Sequence, residues 1–180
     1  YISNAMDQLA LVLVTMCNLS DRRNNRLLHP DLNGDLPPFL VKENPGMRQG
    51  LMGGQFMSTS LTAEIRQMAT PMSIQSLPST GDFQDHVSFG LNAARRTRDV
   101  LRNAQYILAF ELICACQGAD IRGVEQLSST TRRLHALVRE HVPYLDHDEP
   151  LTDHVETLAA LFSTGALLDA LPEDAPSYDW

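Results

Sequence analysis

Residues 79–88, Ser-Thr-Gly-Asp-Phe-Gln-Asp-His-Val-Ser, gather Asp82, Gln84, Asp85 and His86 around one aromatic side chain, Phe83. A glutamine donates and accepts hydrogen bonds but cannot ionise, so Gln84 can orient a polar group without acting as a base. Asp85 is better suited to capping the helix expected to follow than to reacting, because an acceptor ahead of a helix takes up its unpaired N–H groups. Phe83 reads either as the border of a pocket or as a core aromatic beneath the loop, and His86 as a surface or supporting residue. Elsewhere, Gln55 follows Gly53-Gly54 and can satisfy nearby backbone, and Glu64 is expected to make a buried hydrogen bond. Asp146, His147, Asp148 and Glu149 invite a metal reading, but their spacing is loose and their composition is that of a solvated turn, so no metal is expected. Cys17, Cys114 and Cys116 are an odd set inside apolar runs, which points to reduced thiols, and Cys-Ala-Cys is the wrong spacing for a zinc knuckle.

Composition limits what such residues could serve. The 180 residues, 43% hydrophobic and 20% charged, are ordinary globular material for one domain. A net charge of −8 argues against nucleic acid as a partner, since phosphate recognition needs concentrated Lys and Arg. Arg95, Arg96, Arg98 and Arg102 cluster on one helical pattern with Asp99 between them, which reads as a solvated or subunit-pairing face. No apolar run approaches the roughly 20 residues that span a bilayer, and no signal peptide is visible. The expectation is a soluble, cytoplasmic protein with no membrane partner.

The elements that must position these residues are helical. The opening stretch Tyr1 to Arg23 follows helical spacing through Met6, Leu9, Ala10, Leu13, Met16 and Cys17, while Leu11, Val12 and Val14 make its other side apolar too. It is already in register at Tyr1, which suits a segment of a longer chain. A loop punctuated by Pro30, Asn33-Gly34, Pro37-Pro38 and Pro45-Gly46 follows, then a helix from Leu51 to Met68, whose two glycines suit close approach of another backbone. A long helix is expected from Phe83 to Asp120. Within it Val87, Ala94, Leu101, Leu108 and Ala115 recur every seven residues, with Leu91, Leu112 and Ala119 on the companion positions and Arg98 and Gln105 interrupting, the pattern of a bundle seam. At 1.5 Å per residue that helix would run about 55 Å, beyond the roughly 40 Å of a compact domain this size, so it calls for cover from another segment or subunit. Two shorter helices complete the pattern, Ser128 to His141 and one opening at Thr152-Asp153 with Glu156 placed for a capping box. The fold class is all-α, a long-helix bundle, with residues 1–171 as the helical region and 172–180 as a tail.

The runs MSIQSLPSTGDFQDHVSFGLNAARRTRDVLRNAQYILAFELICACQGADIRG, NLSDRR followed by LPPFL, GGQFMSTSLTAE and VPYLDHDEPLTDHVE resemble the C-terminal helical region of the aromatic amino acid ammonia-lyases and 2,3-aminomutases. The resemblance covers Tyr1 to about Leu161. Of these motifs GDFQDHVSFGLNAAR is quite specific and NLSDRR alone is weak; the set looks most like bacterial tyrosine 2,3-aminomutases and their lyase relatives.

The resemblance implies a homotetrameric, mostly helical enzyme using 4-methylideneimidazole-5-one, an electrophile formed from an Ala-Ser-Gly. This chain has no Ala-Ser-Gly; Ser79-Thr80-Gly81 and Ser163-Thr164-Gly165 are the nearest approaches. The electrophile, the catalytic base and the carboxylate-binding arginine are therefore expected in the remaining N-terminal part of the same enzyme, and the chain alone is expected to be inactive. Gln84 falls where the family carries the glutamate or glutamine that reaches the prosthetic group, which makes it the candidate catalytic and cofactor-contacting residue. The helix end behind it would add a positive field. Phe83 and Gln55 are the candidate substrate-contacting residues. A glutamine there implies an aromatic substrate, tyrosine or a similar amino acid, rather than an imidazole. Two alternatives stay open: a non-catalytic helical oligomerisation module, and a histidine ammonia-lyase.

Overall fold

Prolines mark where three of the helices stop. The structure, a computed structural model, describes residues 1–171; the tail 172–180 lies outside the described residues. Helix α1 spans Ile2–Leu28 and ends with His29 in extended backbone, as a residue before proline prefers. This carries α1 beyond the expected Arg23, because nothing before His29-Pro30 interrupts it. Helix α2, Met52–Met68, ends just short of Pro71, and α4, Ser129–His141, short of Pro143. Ser128 caps α4 by accepting from the Thr131 N–H at 3.3 Å. Helix α3 runs Gly90–Arg122 and α5 Thr152–Thr164, with short 3₁₀ turns at Pro38–Leu40, Val124–Gln126 and Ala166–Ala170. Among the described residues there is no β-strand, only two isolated bridges, one of them Ser79 with Gln84.

Two expected starts are corrected. Helix α3 begins at Gly90, not Phe83, its first-turn bond running from the Ala93 N–H to the Phe89 carbonyl at 3.0 Å. Asp85 therefore caps nothing and is exposed; the cap position is Phe89, in left-handed backbone with φ 47° and no side-chain bond. In α5 the Val155 N–H already bonds the Leu151 carbonyl at 3.0 Å, so Asp153 lies inside the first turn and the capping box with Glu156 does not form. As a carboxylate in a first turn it still meets the favourable end of the helix dipole.

Helices α1 and α3 lie side by side in the same direction. The Thr97 hydroxyl donates to the Met6 carbonyl at 2.9 Å, and further along Glu111 accepts from the Ser20 hydroxyl at 2.6 Å and from the Arg23 guanidinium at 2.9 Å. Helix α2 runs the other way: Gln55 meets Asn25, Arg66 meets Asn18, and the residues after its end meet Asp7. Helices α4 and α5 cover the second half of α3, where Phe110, Ile113, Val138, Val155 and Leu158 form one buried cluster. Burying each such side chain contributes on the order of 1.5–3 kcal/mol. Asp120 fastens α3 to α4 by accepting from His135 and Arg139, each at 2.8 Å. By length and composition α1 could cross a membrane. Its buried side, however, carries Ser3, Asp7, Ser20, Asp21 and Asn24, and Asp7, Ser20, Asp21 and Asn24 bond groups of α2, α3 and the loop after α2.

The seam of α3 is also corrected. The stripe turned to the rest of the chain is Ala93, Thr97, Val100, Ala104, Ile107, Cys114 and Gly118, one position away from the expected one. Leu91, Leu101 and Ala115 of the expected seam are exposed, and Val87 precedes the helix. The small residues Ala93, Thr97 and Ala104 explain the choice, since they let α1 approach closely. At 33 residues α3 is about 50 Å long, still longer than the roughly 40 Å expected of a compact domain of this size.

Candidate active site

The segment 79–84 folds as a tight hairpin because three successive residues, Thr80, Gly81 and Asp82, take left-handed backbone with φ of 55°, 62° and 63°. Such a conformation reverses the chain at once. The turn is closed by paired bonds between Ser79 and Gln84, 2.9 Å in one direction and 3.1 Å in the other, and by the Phe83 N–H to the Thr80 carbonyl at 3.3 Å. Behind the hairpin the Ser76 hydroxyl oxygen accepts from the Val87 N–H at 2.9 Å, tying its two arms together. The main chain of Gln84 is thus fixed while its side chain is exposed, with no hydrogen-bond partner among the described residues.

Phe83 is 84% exposed, which removes the reading of a core aromatic beneath the loop. His86 is exposed as well. The expected helix end does not adjoin Gln84: the unpaired N–H groups of the first turn belong to Gly90, Leu91 and Asn92, and the helix field fades within a turn.

Gln55 is half-buried, its amide donating to the Asn25 side-chain oxygen at 3.1 Å. It belongs to a polar seam between α1 and α2 in which Asp21 accepts from Thr59 at 3.0 Å and from Ser58 at 3.4 Å. The glycines before it do different things. A Cβ on Gly54 would lie 2.7 Å from two ring atoms of Phe110 and closer still to a third, so Gly54 admits a side chain rather than a backbone; a Cβ on Gly53 would meet nothing within 4 Å. Glu64 is exposed rather than buried, because it faces away from α1 on α2.

The structure does not bring Gln55 and Gln84 together within one chain. Gln55 lies beside Asn25 and the loop carrying Gln84 is anchored at Asp7, positions separated along α1 by about 27 Å of helix at 1.5 Å per residue. The three residues from Val87 back to Gln84 span at most about 10 Å. The acidic loop has its own work. Asp148 accepts from the Gln49 and Gly50 N–H groups at 2.9 and 2.8 Å, which hold its carboxyl below the usual range, while Glu149 meets His154 at 2.7 Å. Among the described residues no group of three metal-ligating side chains converges. The three cysteines are free and buried; burial, with Glu111 nearby, pushes the Cys17 thiol up to about 11, and burial does the same to Cys116, also to about 11.

Sequence reasoning passed over Asp7. Both of its oxygens are engaged, by the Met72 N–H at 3.0 Å and the Ser73 N–H at 2.9 Å. The available signal was a lone carboxylate, the single charged side chain before Asp21.

A sequence model of the aromatic amino acid lyases matches residues 1–140. The chain belongs to that family. It is 48% identical over 171 residues to a tyrosine ammonia-lyase of Cupriavidus metallidurans, covering 94% of this chain and 32% of the relative. A histidine ammonia-lyase of Natranaerobius thermophilus is 40% identical over 166 residues, with 92% and 32% covered. Among solved structures, the phenylalanine aminomutase of Pantoea agglomerans superposes with a TM-score of 0.87 at 55% identity, over 88% of this chain and 31% of that one. The tyrosine aminomutase of Streptomyces globisporus does so with a TM-score of 0.92 at 39% identity, over 98% and 34%. The chain therefore spans about a third of the length of the relatives it matches. Members of this lyase family are represented in these matches by both ammonia-lyases and aminomutases, and the helical architecture described above is theirs.

Proposed function

We propose that this chain is the C-terminal part of an ammonia-lyase or 2,3-aminomutase acting on tyrosine or a similar aromatic amino acid, and that it works as a homotetramer. The observation that carries the reading is the hairpin that fixes the backbone of Gln84 while leaving its amide and the Phe83 ring free to meet a ligand. In this reading 4-methylideneimidazole-5-one, formed from an Ala-Ser-Gly in sequence outside this chain, supplies the electrophile for the substrate's amino group. An unshared, non-ionising amide suits a contact with such a group. Gln84 orients the amino group by accepting from it and donating to its surroundings, but takes no proton. Phe83 packs on the substrate's ring, and Gln55 contributes from a second copy of the chain, since one copy cannot place both. Exposed apolar residues along α1 and α3, among them Leu11, Val12, Leu19, Leu91 and Leu101, support burial against other copies.

The test is steady-state kinetics of the full-length enzyme with tyrosine, separating 4-hydroxycinnamate from β-tyrosine by chromatography. Gln84→Glu replaces a donor–acceptor with an acceptor or a single donor, and a loss of tenfold or more in kcat/KM is expected, equivalent to about 1.4 kcal/mol. His147→Ala, on an exposed side chain, leaves turnover unchanged. Wild-type kinetics for Gln84→Glu together with a dead His147→Ala would place the chemistry elsewhere. Histidine is the second reading, favoured by similarity to histidine ammonia-lyases, and is decided by offering both amino acids to the same preparation.

A further inference from the structure

We infer that Asp7 and Arg96 form a two-sided clamp that sets the position of Gln84, which makes Asp7 a positioning residue for the chemistry proposed above and rests on that reading. The loop 70–89 has little apolar burial to hold it: Ile74 is 72% exposed, Leu77 66% and Phe83 84%. What holds it is polar and comes from two helices. From α1, Asp7 accepts two consecutive main-chain N–H groups, one on each carboxylate oxygen, Met72 at 3.0 Å and Ser73 at 2.9 Å. From α3, the Arg96 guanidinium donates to the carbonyl of Thr70. The segment 70–73 is thus gripped from both sides, and the Ser76 hydroxyl passes that position to the other arm through the Val87 N–H.

A carboxylate this buried, 7% exposed, is costly unless its lone pairs are filled, and here both oxygens are used on the loop rather than on a structural ion pair. The charge state agrees with the geometry. Burial pushes the Asp7 pKa up, but the Met72 and Ser73 bonds and the charge of Arg96 outweigh it and leave the group below its ordinary 3.8. Asp7 is therefore an ionised, fully engaged anchor. Neither clamp residue touches the proposed ligand; both act through the hairpin.

The experiment is a double-mutant cycle in the full-length enzyme. Asp7→Asn removes one acceptor and puts a donor against a donor. If the clamp acts through Gln84, Asp7→Asn lowers kcat about tenfold, and Asp7→Asn/Gln84→Ala is no slower than Gln84→Ala alone. Val138→Ala, a core truncation on the buried face of α4, serves as the stability control: matched in loss of melting temperature, it keeps kcat within twofold. Arg96→Met, on the half-exposed jaw, repeats the measurement where Asp7→Asn does not fold. Multiplying effects in the double variant, or a kcat within twofold for both clamp variants while Gln84→Ala is impaired, overturns the clamp and leaves the role of Gln84 standing. A wild-type Gln84→Ala overturns the role of Gln84 itself, and the clamp's route through it.

Discussion

Gly53 and Gly54 are neighbours on α2 with the same intrinsic cost, so substituting each by alanine separates packing from propensity. Alanine in a helix interior gains roughly 0.8–1 kcal/mol over glycine. At Gly53, in the first turn of α2, the new methyl meets nothing within 4 Å, so the gain is kept and Gly53→Ala is stabilised by up to about 1 kcal/mol. At Gly54 the methyl would lie 2.7 Å from Cδ2 and Cζ of Phe110, a fully buried ring. Overpacking of that kind costs about 1–3 kcal/mol, and with three ring atoms involved the upper figure applies. Subtracting the propensity gain leaves Gly54→Ala destabilised by about 2 kcal/mol, and the two variants about 3 kcal/mol apart. Urea denaturation of the full-length protein, read at the midpoint with a common slope, measures the gap. A gap under about 1 kcal/mol, or a stabilised Gly54→Ala, would refute the claim that Phe110 requires glycine there.

The remaining predictions concern charge, thiols and completeness. Because the Asp7 pKa is lowered on folding, its contribution to stability is present above the unfolded value of 3.8 and disappears as pH falls through the folded one; between about pH 5 and about pH 3 the wild type should lose more melting temperature than Asp7→Asn. With Cys17 and Cys116 raised to about 11 and Cys114 pushed well up by burial, native protein at neutral pH should react with iodoacetamide at none of the three, while urea-unfolded protein reacts at all, as intact mass would report. The isolated 180-residue chain should produce neither 4-hydroxycinnamate nor β-tyrosine from tyrosine, since it carries no Ala-Ser-Gly; measurable turnover would contradict the assignment of the electrophile to sequence elsewhere.

Much of the helical architecture is legible in the sequence because prolines stop α1, α2 and α4 from outside, and a proline's effect is local. The start of α3 is not, because residues 83–89 contain no helix breaker; what delays the helix is left-handed backbone at Phe89, a residue type that visits that region seldom and gives no notice of it. Gln84 is legible as a candidate from its motif, but its separation from Gln55 is not, since that depends on α2 running against α1. Asp7 escapes because its partners are main-chain N–H groups, which no residue type identifies.

The two seven-residue stripes of α3, one position apart, lie about 100° from one another around the helix. The stripe turned outward leaves Leu91 and Leu101 exposed, while the one turned inward holds Ala93, Thr97, Val100, Ala104 and Ile107. A nascent chain thus meets a competing arrangement in which α3 is rolled by one residue and hides its leucines. Opposing it are directional bonds that only the observed face can make, from Thr97 to the Met6 carbonyl and from Ser20 and Arg23 to Glu111. Polar groups thus select the observed roll, and Leu91 and Leu101, left outside, are the surface on which newly made chains would stick to one another.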